Sequence, residues 1–290
     1  MKSNENLVKV GLFGVGLDTY WPQFEGLLSR LKGYQNEIKN KITQFGVTVV
    51  DAGMVDNPTK ALDAAELLKK TDVEIVFLFI STYALSSTVL PVVQRAKVPV
   101  IILNLSPEAA INYEAFNKMN DRTKMTGEWL SYCSACPVPE IANVFKRAGI
   151  RFHQVTGMLH NDTECWDEIG EWIEAAKVAN IMSHNRLVAM GHYYSGMLDI
   201  YTDLTLQITT FGGHIEIIEV DELSALRKKI SQKQITGRVV DFHTVFDVQP
   251  DCALDELERA AKTSVALDKL IEMYEPVSYT HLTLPTICSV

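Results

Sequence analysis

The sequence predicts an α/β protein: a doubly wound parallel sheet followed by a second, incomplete α/β domain. Two observations lead there. Apolar runs of strand length alternate with segments whose apolar residues recur at helical spacing, the pattern of parallel strands joined by crossover helices. One run, VEIVFLFI at 73–80, is apolar almost throughout, as a central strand covered on both faces must be.

The elements follow in order. Residues 8–15 form the first strand. Phe24, Leu28, Leu31, Ile38 and Ile42 then fall at helical intervals and predict a long amphipathic helix. A second strand spans 47–50, and Asn57 with Pro58 supplies an N-cap and a first-turn proline for a helix through Lys70. After the strand at 73–80 comes another at 99–105, where Ser106–Pro107 repeats the cap-plus-proline signal. A shorter helix at 139–148 is stopped by Gly149, and 152–158 is the fifth strand. Asn161 and Asp162 cap a long helix with Trp166, Ile169, Ile173 and Ala176 on one side. Five strands with intervening helices make a flavodoxin-like domain over residues 1–182. The second domain, 183–276, has strands at 187–190 and 214–220 with a helix at 198–211 between them, too few elements to close a sheet.

The last residues, 277–290 (VSYTHLTLPTICSV), contain no Asp, Glu, Lys or Arg and follow a strongly charged helical segment. The run at 277–286 resembles the translation of a transposase adapter used in preparing sequencing libraries. We expect this tail to be non-native and the natural protein to continue past Pro276.

Composition sets the class. With 47% hydrophobic and 22% charged residues over 290 positions, a soluble chain with a sizeable core is expected. A net charge of -9 gives no electrostatic footprint for nucleic acid or an anionic membrane, and favours a neutral small molecule. Five cysteines (Cys133, Cys136, Cys165, Cys252, Cys288) make an odd count that argues against a disulfide framework. No export signal and no membrane-length apolar run stand in the sequence, so a cytoplasmic location is expected.

In an open parallel sheet, ligands bind where loops leave the carboxyl ends of strands. Four loops qualify, at 14–21, 81–83, 105–107 and 157–161. The first, GVGLDTYWP, is the richest: Gly14 and Gly16 are expected to let the backbone turn tightly. Asp18, Tyr20 and Trp21 offer hydrogen bonds and an aromatic face to a polyhydroxylated ligand. A dinucleotide fits poorly, because Leu17, Asp18 and Thr19 occupy the space of the third glycine and Asp18 would repel a pyrophosphate.

Cys133 and Cys136 have redox spacing, but they lie deep in the fourth crossover and no further zinc ligands stand nearby, so two packed thiols are expected. In the second domain, strand alternation puts His214, Glu216 and Ile218 on one face, with His192 just past the preceding strand. Histidine and carboxylate can ligate a metal, although such residues are more often hydrogen-bonded structural groups. The Gly196–Met197 turn reads as a pocket wall. No nucleophile elbow is present.

Taken in order, six segments resemble the L-arabinose/L-fucose isomerase family over residues 8–276: FGVGLDTYW, IVFLFISTY, VIILNLSPEAAINY, MNDRTKMTGEW, FHQVTGMLHNDTECWDEIGEWIEAA and RLVAMGHYYSGMLDIYTD. The resemblance implies three domains per subunit, an active site at a subunit interface, and a homo-oligomer, usually a hexamer. It implies interconversion of an aldose and a ketose through an enediol. A divalent ion, usually manganese, would hold the reacting oxygens while glutamates move the proton. Asp18 and Tyr20 fall where the arabinose enzymes place sugar-contacting side chains, and Tyr83 joins them as a candidate from the third-strand loop. Asp121 and Lys124 stand where the family carries a glutamine and a histidine, and Met197 matches a methionine of the substrate pocket. The departures at Asp18, Asp121 and Lys124 count against L-arabinose itself. In the family's order, the metal ligands and catalytic glutamates lie beyond Pro276, so no catalytic residue or metal ligand is assigned within the chain. The rival reading is a two-lobed sugar-binding protein without catalysis, which should carry an export signal and a finished second lobe.

Overall fold

The structure, a computed structural model, describes residues 8–191 and 196–274. β1 (Lys9–Val15), β2 (Thr48–Val55), β3 (Ile75–Ile80), β4 (Val100–Ser106) and β5 (Phe152–Met158) form one parallel sheet in the order β2-β1-β3-β4-β5. That is the flavodoxin-like doubly wound order, with its switch point between β1 and β3. The connecting helices are α1 (Leu27–Thr43), α2 (Pro58–Thr71), α3 (Ser86–Ala96), α4 (Tyr113–Lys118), α5 (Arg122–Leu130), α6 (Val138–Arg147) and α7 (Thr163–Ser183).

Strand side chains alternate between two cores. Phe13, Val76, Leu78 and Ile102 face α2, α3 and α6 through Leu68, Val89, Ile141 and Phe145. Leu12, Phe77, Phe79 and Leu103 face α1 and α7 through Ile38, Ile42, Ile169 and Ile173. Every residue of β3 is buried, which is why its sequence is a continuous apolar run. At about 1.5–3 kcal/mol per buried large side chain, two such layers dominate the stability of this unit.

Caps set several boundaries as the sequence predicts. The Asn57 side chain accepts from the Lys60 amide at 3.0 Å, and Pro58 opens α2. Asp162 accepts from the Cys165 amide at 3.1 Å and from Met158 N–H at 2.8 Å, joining the end of β5 to the start of α7. Other expectations need correction. Ser106–Pro107 opens no helix: the Ser106 hydroxyl turns to the Glu108 carbonyl at 2.6 Å, and α4 begins later, under the Asn112 cap. The first long helix begins at Leu27, past Phe24, because a short 3-10 turn at Asp18–Tyr20 intervenes. β2 runs beyond 50 to Val55, across a register shift that Gly53 takes up at φ +74°. α3 was not predicted, and Pro91 lies inside it.

The chain divides into two units, Met1–Asn180 and Ile181–Val290. In the second, β6 (Arg186–Met190) pairs in parallel with β7 (His214–Ile218). α8 (Leu204–Phe211), α9 (Val220–Lys228), α10 (Gln232–Val245) and α11 (Leu254–Tyr274) complete its described elements. Ile235, Val239, Leu257, Ala261 and Val265 form a small core between α10 and α11. The helix expected over 198–211 is split into a 3-10 turn at Leu198–Ile200 and α8, because Asp203 caps α8 by accepting from Leu206 N–H at 3.0 Å. The strand expected to reach 220 ends at Ile218, where the chain enters α9. His192, Pro276, Cys288 and the 277–290 tail lie outside the described residues.

Candidate functional site

The switch point places the loops after β1 and β3 side by side. The β1 loop is tied to the end of β2 by Gly16 N–H to Val55 O at 3.1 Å and Asp18 N–H to Asp56 O at 3.2 Å. Beneath it, Asp56 is 1% exposed. Its carboxylate accepts from the Trp21 indole at 2.8 Å, from Lys60 Nζ at 2.7 Å and from Asn57 Nδ2 at 3.1 Å. A buried carboxylate is tolerable only when so occupied, and here its donors fix where Trp21 lies.

Gly14 and Gly16 do different work from the turn expected of them. Neither is among the glycines with positive φ. A Cβ on Gly14 would come 2.4 Å from Gln35 Oε1, and one on Gly16 would come 2.8 Å from Trp21 Cη2. They are bare so that Gln35 and Trp21 can pack on the end of β1.

Tyr20 packs edge-on to Trp21 and Phe24, with ring centroids 6.4 and 5.9 Å away. These rings sit on Leu27, Leu31, Met54 and Leu130. α5 covers them: Glu128 receives Arg30 through two contacts, 2.6 and 3.4 Å, and Arg30 Nε donates to the Tyr34 hydroxyl at 2.8 Å. From β3, the Ser81 hydroxyl donates to Val15 O and the Thr82 hydroxyl to Leu130 O, both at 2.7 Å. Thr82 and Ala84 are buried by this anchoring, while Tyr83 between them is 41% exposed.

The Tyr83 backbone N–H bonds the Cys133 sulfur, and both residues lie within electrostatic range of Tyr20. Burial first, then the nearness of Tyr83 and Cys133, pushes the Tyr20 phenol above its ordinary range. A phenol so placed stays protonated at neutral pH and donates a hydrogen bond. With Asp18 exposed on the same turn, the loops present a neutral phenol, a second tyrosine ring and a carboxylate, groups that can hold hydroxyls and pack against C–H faces.

Asp121 and Lys124 stand at the N-terminal end of α5. The Asp121 carboxylate caps α5, accepting from Thr123 N–H at 2.9 Å and Lys124 N–H at 3.1 Å. Lys124 is exposed, beside an open hollow of about 400 Å³ lined by Phe116, Arg122, Met125, Thr126 and Trp129. Met197 belongs to the second unit, 48% exposed ahead of the Leu198–Ile200 turn. Sequence reasoning did not find Asp56, Gln35, Arg30 or Glu128. Asp56 was detectable as the neighbour of a helix cap, whereas Arg30 and Glu128 are 98 residues apart and carry no local signal.

His214 and Glu216 do share a face, where they bond each other at 3.1 Å. Among the described residues, no three His, Cys, Asp or Glu side chains are placed to hold a metal. Cys133 and Cys136 pack Sγ to Sγ at 2.7 Å.

The chain matches no protein-family model and no curated protein. The described structure is a five-stranded flavodoxin-like α/β sheet and a separate second unit. Among the described residues, no helix is long and apolar enough to cross a membrane.

Proposed function

We propose that this chain is the front part of an aldose–ketose isomerase of the L-arabinose/L-fucose isomerase type, and that the loops after β1 and β3 form part of its monosaccharide pocket. The observation that carries the reading is that Tyr20 and Tyr83 stand on neighbouring loops of the switch-point edge, within electrostatic range of each other, with Asp18 on the Tyr20 turn. Tyr20 donates to a sugar hydroxyl, Asp18 accepts from another, and Tyr83 covers the C–H face of the ring. Met197, Asp121 and Lys124 remain candidates through the family resemblance alone. A divalent ion such as manganese, when bound, stabilises charge on the sugar's reacting oxygens; its ligands and the proton-moving carboxylates belong to the sequence expected past Pro276. The working enzyme is a cytoplasmic homo-oligomer, a hexamer by that resemblance, and the chain alone is inactive.

Saturation-transfer NMR on the full chain with L-arabinose and L-fucose tests the pocket. Sugar signals are expected at millimolar concentration, and Asp18→Ala and Tyr20→Phe should each weaken binding by about three- to tenfold, the worth of one hydrogen bond. Absence of transfer from any pentose or 6-deoxyhexose would sink the pocket. The isomerase itself is tested on the natural reading frame continued past Pro276, assayed on a panel of aldoses with and without manganese.

A further inference from the structure

The segment between α5 and α6 carries chemistry that sugar binding does not use. The chain turns tightly over 131–137, with Cys133 N–H bonded to Leu130 O at 3.2 Å and Val138 N–H to Ala135 O at 3.4 Å. This turn brings the Cys133 and Cys136 Sγ atoms to 2.7 Å, against about 2.05 Å for a covalent S–S bond. The two thiols differ in access: Cys133 is 3% exposed, while Cys136 is exposed to solvent. Cys133 also lies within electrostatic range of the Tyr20 phenol. Burial, then the hydrogen bond and charge of Cys136, push the Cys133 thiol up to about 12. Its burial keeps an incoming disulfide away, and its place beside Cys136 Sγ makes it the resolving sulfur.

We propose that Cys133 and Cys136 form a reversible dithiol–disulfide couple behind the Tyr20–Tyr83 wall, oxidised by low-molecular-weight disulfides of the glutathione class. The exposed Cys136 thiolate attacks one sulfur of the incoming disulfide, forming a mixed disulfide and expelling one thiolate, which takes up the proton Cys136 released. Cys133 then attacks Cys136 Sγ, breaking the mixed disulfide. Its proton passes to the second departing thiolate. The protein loses two hydrogens and two electrons, and one small disulfide becomes two thiols. The order is the reverse of the thioredoxin pattern, since the second cysteine is here the accessible one. The couple does not depend on the sugar reading.

The full chain is equilibrated in glutathione buffers of graded ratio, acid-quenched, alkylated and digested with trypsin. The peptide 125–146 contains Cys133 and Cys136 and no other cysteine. In oxidising buffer its alkylation should fall to about a tenth, with a mass lower by two hydrogens, and dithiothreitol should restore it. Cys133→Ser should stall with glutathione held on Cys136, and Cys136→Ser should leave Cys133 unmodified. Full alkylation of wild type in the same buffer, glutathione persisting on Cys136 without closure, or closure only in denaturant would each overturn the couple.

Discussion

Gly213 illustrates how much the absence of one side chain decides. It sits at φ +74°, and a Cβ there would come 2.6 Å from Asn185 O and 2.9 Å from Met182 O. Both neighbours are backbone, so neither can swing away, and the residue follows α8 just before β7. Gly213→Ala should destabilise the second unit by about 2–4 kcal/mol, combining left-handed strain with the clash. Faster amide exchange across β6 and β7 is the readout; unchanged protection there contradicts the assignment. Gly14→Ala is milder, because the crowding atom is the end of a side chain. Yet Gln35 is 3% exposed and donates to Asp51 Oδ1 at 2.7 Å, so about 1–3 kcal/mol is expected from urea midpoints. Burial, with Asp162 and Glu168 nearby, pushes the Cys165 thiol up to about 11. Iodoacetamide at neutral pH should therefore label Cys165 only after unfolding, which mass spectrometry of native and denatured samples will read.

Between elements, His160 acts as a proton-dependent tie. Its Nε2 meets Glu37 of α1 at 2.9 Å and its Nδ1 meets the Pro107 carbonyl at 3.1 Å. Both partners are acceptors, so only the protonated ring, with two N–H donors, satisfies both. The hydrogen bond to Glu37, then the one to Pro107, raises the imidazole pKa, while burial and Lys41 oppose it. A raised pKa means the contribution is complete below the unfolded-state value near 6.5 and is lost as pH climbs through the higher folded-state value. Both side chains are over two-fifths exposed, so solvent screening limits the effect to a few tenths of a kcal/mol, about 1 at most. The urea midpoint should fall between about pH 5 and about pH 8, and Glu37→Gln should flatten that slope. An identical slope in the variant would remove the tie from the account.

For the whole molecule, the five-stranded unit owns a complete core on both faces of its sheet. A fragment ending at Ser183, the last residue of α7, should therefore unfold cooperatively in urea with α/β circular dichroism. A non-cooperative melt would mean that the second unit is needed to complete the fold.

The strands, and the burial of β3 on both faces, were legible because apolar periodicity is a local consequence of how many sides of a strand are covered. The N-caps at Asn57 and Asp162 were legible for the same reason, since donor and acceptor lie within a few residues. At Ser106–Pro107 that logic failed: the serine found a closer acceptor in the Glu108 carbonyl. α3 escaped notice because Pro91 is tolerated there once Val89, Val92 and Val93 are buried against the sheet.

By itself the sequence determined a doubly wound α/β sheet, and named Asp18, Tyr20 and Tyr83 from their place just after strands. Only the tertiary structure decided that the Tyr83 backbone bonds Cys133, that Asp56 anchors Trp21, and that Arg30 reaches Glu128. Those contacts join residues dozens of positions apart. Their existence depends on which strands become neighbours and how helices close over them, and no pattern along the chain encodes such distances directly.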